Sequence, residues 1–207
     1  MRHIIASINS LPETYSGKLT ILANDPDSEV TARNACLLNI LASVSDISLA
    51  VDMAVHFWYS ISMPPEYNWH LSLLLKDFIS QISPNEGKGP IQRLTTTFGN
   101  SCKACFILSP TAIMRCCAYG AQRMTMQESS DEHARVRNWP SMKEKNYMMY
   151  MRLRPSHRVA FWQYRSFGLL LPHGAANAHF SIPNDSLFGS QKEWLQSGSA
   201  DPIGSWK

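Results

Sequence analysis

Lys18-Leu-Thr-Ile-Leu-Ala-Asn-Asp-Pro-Asp27 (KLTILANDPD) is the stretch on which the reading of this chain turns. Its first six residues, Lys18–Ala23, form a short β-rich apolar run of the length of a buried strand. The next four read as a helix start. Asp25 is placed to cap, Pro26 to occupy the first helical position, and Asp27 and Glu29 to face the positive end of the helix. Val30, Leu37, Leu38 and Leu41 then give that helix an apolar side. Upstream, Ile4, Ile5, Ile8 and Leu11 recur at helical spacing before Pro12 and the Tyr15-Ser16-Gly17 turn. Helix, turn, strand, loop, helix is the rhythm of an α/β domain.

Downstream, a helix is predicted from about Asp46, with Ile47, Ala50, Val51, Ala54, Val55 and Trp58 as its stripe and Met63-Pro64-Pro65 as its stop. Another runs from about Tyr67 to Ile82 on Leu71, Leu74, Leu75, Phe78 and Ile79. Ser83–Pro90 reads as a polar hinge, and Phe98–Leu108 as a strand. Ser109-Pro110 reads as a helix start, and Glu128–Lys145, without apolar periodicity, as an exposed loop. Ser156 is placed to cap a helix carrying Val159, Trp162 and Phe167, closed by Gly168. From Leu169 on, apolar runs broken by Pro and Gly predict extended segments wrapped on the core. The expectation is one α/β domain over residues 1–207, with a helix-strand-helical acidic part (1–82) and a basic part (91–207).

Composition narrows the function classes. At 207 residues, 44% hydrophobic and 17% charged, the chain is neither disordered, collagen-like nor a disulfide-dense miniprotein. No apolar run approaches the length of a membrane helix, and the N-terminal apolar stretch is too short for a secretory signal. Five cysteines without an export signal point to a reducing, cytoplasmic setting. The net charge of +3 divides into −4 for residues 1–80 and +7 for residues 81–207. Such a basic half suits an acidic protein partner, and no nucleic-acid motif accompanies it. A solvated helical surface with an arginine-rich loop is the favoured account of it, because no nucleic-acid motif accompanies the charge.

Several constellations carry possible chemistry. Cys102-Lys-Ala-Cys105 has the spacing of a zinc knuckle or redox pair, yet Cys116-Cys117 is no second knuckle. Asp52 and His56 stand at i, i+4 on a helix, with Ser60 following at the same spacing. A carboxylate that orients an imidazole is half of a catalytic triad, but no Gly-x-Ser-x-Gly elbow accompanies it. His173 and His179 lack a third ligand at metal-site spacing. Gly87-Lys88-Gly89-Pro90 lacks both the later glycine of a dinucleotide loop and the Gly-Lys-Ser/Thr ending of a P-loop. Asp25, after a parallel strand, could hold a ribose, although its capping role explains it already.

Taken in order, several blocks resemble a known family. They are Leu11-Pro12, Gly17–Asp25, Ala32-Arg33-Asn34, His56–Ser60, Arg154–Arg158, Phe167–Gly174, Pro183-Asn184 with Leu187-Phe188, and Ala200-Asp201-Pro202 with Trp206. Across nearly the whole chain they resemble the fungal domain of unknown function that also forms the N-terminal region of dynein axonemal assembly factor 3. The resemblance implies a methyltransferase-like Rossmann arrangement, an α/β sheet flanked by helices. In that family a first strand runs into a Gly-Asp-x-Arg turn, of which only Arg2 and His3 have counterparts here. The expectation is therefore a chain lacking its first strand and the cofactor loop after it. The MYND zinc finger of some relatives has no counterpart.

Within the matching blocks, Arg33 and Asn34 sit near Asn24 and Asp25 in sequence and would need hydrogen-bond partners if buried. Trp58 and Tyr59 are expected to anchor a helix. Pro155, His157 and Arg158 start a helix beside the Gly168–Gly174 loop, which includes Pro172. Together with Arg2, Asn184 and Trp206, these are the candidate structural or interaction residues. No catalytic residue, metal ligand or cofactor is assigned. The leading expectation is a non-catalytic protein-interaction module of assembly type. The alternatives are a degenerate S-adenosylmethionine-dependent methyltransferase and a zinc-dependent interaction protein.

Overall fold

Leu19–Ala23 is strand β1, as its composition predicts. The computed structural model describes residues 2–12, 14–17, 19–23, 25–82, 92–98, 102–108, 112, 114, 147–171 and 175–187. Ahead of β1, the amphipathic run is helix α1 (Arg2–Asn9). After it come α2 (Ser28–Ser43), α3 (Ile47–Tyr59), the two-residue strand β2 (Ser62–Met63) and α4 (Pro65–Ile82). Strands β3 (Gln92–Phe98) and β4 (Cys102–Leu108) follow, then α5 (Tyr147–Arg152), α6 (Pro155–Phe167), β5 (Ile182–Pro183) and a 3-10 turn at Asp185–Leu187.

This architecture overturns the expectation of a Rossmann-like sheet flanked by helices. The described residues are mostly helical, and their larger sheet has three strands in the order β1-β4-β3. Only β1 and β4 are parallel, with Leu19 opposite Cys102 and Ala23 opposite Phe106. β3 runs antiparallel to β4, from Gln92 opposite Leu108 to Phe98 opposite Cys102. A doubly wound fold needs strand and helix to alternate, whereas here α2, α3 and α4 follow β1 with only the short β2 among them. The cofactor crevice that the Rossmann arrangement implied loses its basis with it. β3 escapes an apolar-pattern reading because Leu94 and Phe98 are its only large apolar residues. Its three threonines, β-branched and at home on a pleated surface, were the available signal.

Local chemistry sets the helix ends. The α2 cap is Asp27, not Asp25. Its extended backbone lets the carboxylate accept from the amides of Glu29 (2.8 Å) and Val30 (3.3 Å). Asp25 instead accepts from the Asp27 amide at 2.9 Å, a turn that delivers the true cap and leaves Pro26 before the helix. Asp46 caps α3 in the same way, through Ser48 and Leu49. Helix α6 begins after the extended Arg154 with Pro155 in its first turn, and Ser156 is not its cap. It ends at Gly168, whose φ of 69° lets its amide reach the Tyr164 carbonyl at 2.7 Å.

Buried faces depart from the expected stripes where a helix is apolar on more than one side. In α3 the buried positions are Ala50, Met53, Ala54 and Phe57, while Ile47 and Val51 face solvent. In α6 Phe161 and Tyr164 are buried, and Val159, Trp162 and Phe167 are exposed. Periodicity alone allows either choice in such helices. In α4 the expected Leu71, Leu75 and Phe78 are buried. Helix α2 is buried well beyond one stripe, taking in Thr31, Arg33 and Asn39 together with Leu37, Leu38 and Ile40.

The chain divides into two compact units, residues 1–50 with 73–120, and residues 51–72 with 121–207. In the first, α2 lies against β3 and β4, and the Asn39 amide reaches the Leu74 carbonyl at 3.5 Å. In the second, β2 pairs antiparallel with β5, Ser62 opposite Pro183 and Met63 opposite Ile182. No helix among the described residues is long and apolar enough to cross a membrane. The Ser109-Pro110 helix start and the Glu128–Lys145 loop lie outside the described residues.

Candidate functional site: the capped end of helix α3

The last carbonyls of any α-helix have no partner within the helix. At the end of α3 they are met by side chains more than a hundred residues away. Wholly buried Asn184 aims its amide nitrogen at the carbonyls of Ser60 (2.8 Å), Phe57 (2.9 Å) and His56 (3.2 Å). Its amide oxygen accepts from the Ser186 hydroxyl (2.6 Å) and backbone amide (3.2 Å). Tyr164 donates its hydroxyl to the Tyr59 carbonyl at 3.1 Å. Backbone bonds close the joint, from the Ile61 amide to the Gly168 carbonyl (2.9 Å) and from the Asn184 amide to the Ile61 carbonyl (2.8 Å). An apolar cluster of Tyr59, Ile61, Tyr164, Leu169 and Leu187 surrounds these groups, with Trp58, Leu170, Leu171 and Phe180 packed against it. Burial excludes the water that would otherwise compete for the carbonyls.

Asp52, His56 and Ser60 stand on successive turns, as their spacing predicts. Asp52 Oδ1 lies 3.6 Å from His56 Nε2, and His56 Nδ1 lies 2.8 Å from Ser60 Oγ. Tyr67, from α4, donates its hydroxyl to the other oxygen of Asp52. Burial and this carboxylate push the Tyr67 hydroxyl up to about 12. Burial lowers the affinity of His56 for a second proton, and the attraction of Asp52 only partly offsets it. In the tautomer whose proton sits on Nε2, on the Asp52 side, Nδ1 accepts the Ser60 hydroxyl.

The sequence of groups is that of a nucleophilic triad, but its setting is not. Ser60 has no exposed surface, and its oxygen also accepts the Leu170 amide at 3.3 Å. A nucleophile must reach a substrate carbon with its oxygen free to attack. Here that oxygen ties α3 to the segment after α6, so the relay acts as an internal brace.

The blocks singled out in the sequence distribute unevenly. Trp58, Tyr59, Gly168 and Asn184 meet at the end of α3, and Trp58 stacks on Tyr59 with ring centroids 5.1 Å apart. Arg158 braces the helix before its own. Its Nε and Nη2 donate to the carbonyls of Leu153 and Met151, both at 3.1 Å, and its guanidinium lies 5.5 Å from the Tyr150 ring. Pro155 and His157 are exposed on the first turn of α6. In the other unit, Arg2 opens α1, Arg33 is buried, Asn34 is partly buried and Asp25 is exposed. Asn24, Pro172, Gly174 and Trp206 lie outside the described residues.

Sequence reasoning missed Tyr164, Tyr67, Ser186 and Asn68. The Asn184-Asp-Ser186 turn signal could have flagged Ser186. Nothing in the pattern distinguishes Tyr164 from other aromatic core residues. Asn68 differs from Asn184 in one decisive respect. Both are wholly buried, yet neither amide atom of Asn68 has a hydrogen-bond partner among the described residues. Such a group forfeits its hydration without replacement. Asn68→Leu, close in volume, is therefore expected to stabilise the protein by about 1–3 kcal/mol, read as a higher urea midpoint at unchanged slope.

Both cysteines of Cys102-Lys-Ala-Cys105 fall within β4, opposite Phe98 and Thr95. No group of three or more His, Cys, Asp or Glu side chains that could hold a metal ion occurs among the described residues. Cys116, Cys117 and His173 lie outside them. Residues 1–63 match the model of a family described as a domain of unknown function, DUF4470. That match takes in the first four of the resembling blocks, through His56–Ser60, and none of the later ones. No curated protein and no solved structure matches the chain.

Proposed function

We propose that this chain is a non-catalytic protein-interaction module of assembly type, acting in the cytoplasm through the outward face of α6. The observation that carries this reading is the exposure of Trp162, 57% open to solvent one turn from the half-exposed Val159. Both stand on the side of α6 opposite the buried Phe161 and Tyr164. Tryptophan is among the residues enriched where binding energy concentrates, and arginine is another. Arg152 and Arg154 lie exposed just before this helix, within the basic half of the chain. An acidic partner segment with its own apolar stripe matches that combination. The burial of Ser60 supports the non-catalytic side of the proposal, and the odd count of five cysteines suits a reducing compartment. The assembly-type role is what the resemblance to the dynein assembly factor region implies.

Trp162→Glu tests it, because a carboxylate on this face repels an acidic partner without entering the core. Proteins retained by the wild type and lost with Trp162→Glu are identified, and the binary complex is rebuilt from purified components. At least a tenfold weaker affinity is expected, with an unchanged thermal midpoint of the free protein. Equal binding by both proteins, loss only of self-association, or turnover of any substrate by the purified chain would overturn the reading.

A further inference from the structure

The buried His56 brace does more than hold a helix end. His56 stands where α3 meets the segment after α6, whose Asn184 and Ser186 side chains reach the helix carbonyls. Its imidazole packs against the Phe180 ring at 4.8 Å, and its Nδ1 reaches Ser60, whose oxygen holds the Leu170 amide. We propose that His56 is an acid-sensitive latch for this C-terminal segment, residues 169–171 and 175–187, and that its protonation loosens the Ser60–Leu170 joint.

Hydrogen-bond valence at Ser60 gives the mechanism. With the imidazole neutral, the Ser60 hydroxyl donates to Nδ1 and its oxygen accepts the Leu170 amide, so each group has a partner. The second proton can only go to Nδ1, which turns from acceptor to donor. The Ser60 oxygen must then accept from both Nδ1 and Leu170, and its own hydroxyl proton loses its acceptor. Ser60 has no exposed surface through which water could take over. Rotation of the hydroxyl to serve the imidazolium misdirects the lone pair that receives Leu170, and this is the longer of the two contacts at 3.3 Å against 2.8 Å.

The groups facing the imidazole decide the balance. From its own helix, Asp52 lies 3.6 Å from Nε2 and favours the charged form. From α4, the Tyr67 ring lies 6.0 Å away and its hydroxyl draws on the same carboxylate, with Glu66 preceding it in sequence. The C-terminal segment contributes the Phe180 ring, while the Asn184 amide meets the backbone carbonyl of His56 and not its ring. His179 and Asp185 are their sequence neighbours. Burial outweighs Asp52, so the folded protein holds a second proton on His56 less well than a free histidine does. The sign follows. At pH well above 6.5 neither state is protonated and the latch is closed. As the pH falls below 6.5, opened states take up the proton more readily than the closed one, and closure weakens until the closed form is protonated too.

Amide hydrogen exchange of the full chain at pH 7.5 and 5.0, each divided by the intrinsic rate, reads the latch directly. Protection at Leu170 is expected to fall at least tenfold at the lower pH, with smaller losses across residues 175–187. In His56→Asn, whose amide oxygen can accept the Ser60 hydroxyl but does not titrate there, the fall is expected to vanish. Unchanged wild-type protection, or an equal fall in the variant, overturns the proposal. Should the variant not fold, wild-type NMR decides. A shared midpoint for the His56 imidazole and the Leu170 amide shift supports the latch, and separate midpoints overturn it.

Discussion

Asn184→Asp is expected to destabilise the protein by about 3–5 kcal/mol at neutral pH, more than almost any other single-atom exchange in this chain. The substitution keeps size and shape and replaces the one donor group that faces three carbonyls. A carboxylate oxygen in its place points negative charge at the oxygens of His56, Phe57 and Ser60, which lie 2.8–3.2 Å away. It cannot donate, and in a wholly buried position it cannot recover water. The bonds to Ser186 survive, because the other oxygen still accepts. Urea denaturation measures the loss. The gap to wild type should narrow as the pH falls toward 4, because the surroundings raise the introduced acid and its protonated form can donate again. A gap that is small, or constant with pH, would show that the amide is not the donor these distances describe. Asn68→Leu should instead come out with the opposite sign, since that buried amide has no hydrogen-bond partner among the described residues.

Gly168→Ala should lower stability by about 2–4 kcal/mol, through two separate causes. At φ 69° the backbone is left-handed, a conformation that disfavours a side chain. A methyl group there would also stand 2.5 Å from Cδ1 and 2.6 Å from Cγ1 of Ile61. Ile61 has little room to retreat. It is buried, its amide is bonded to the Gly168 carbonyl, and its carbonyl holds the Asn184 amide. Relief of the clash must therefore disturb the capped end of α3. Thermal melting gives the size of the effect. Ile61→Ala in the Gly168→Ala background separates the causes, since it removes the clash and leaves the backbone strain. If the double variant is destabilised by the plain sum of the two single effects, steric contact contributes nothing.

Much of the local structure was legible. β1 lies where the β-rich run placed it, α1 and α4 follow their apolar spacing, and Gly168 closes α6. The Asp52–His56–Ser60 alignment was also foreseeable, because i, i+4 neighbours on a helix share a face whatever surrounds them. The failures have a common origin. The α2 cap was displaced by two residues because Asp25 and Asp27 are chemically identical candidates. Only the turn between them decides which carboxylate meets the helix amides. The α/β reading rested on one strand–loop–helix unit and the Rossmann arrangement on the family resemblance, while the second strand of the parallel pair belongs to a hairpin nearly eighty residues on.

What the amino-acid order determined by itself is confined to interactions within about one helical turn: stops, the left-handed glycine and the histidine relay. Tertiary structure alone decided which side of α3 and α6 became interior, since both helices carry apolar residues on opposing sides. It also decided that Asn184 would serve carbonyls up to 128 positions earlier in the chain. A side-chain amide fits any helix end with free carbonyls, and only the path of the backbone brings it to this one. The same path turns a triad-like row of residues from candidate chemistry into a buried brace. Ser60 spends its oxygen on a segment that no local pattern connects to it.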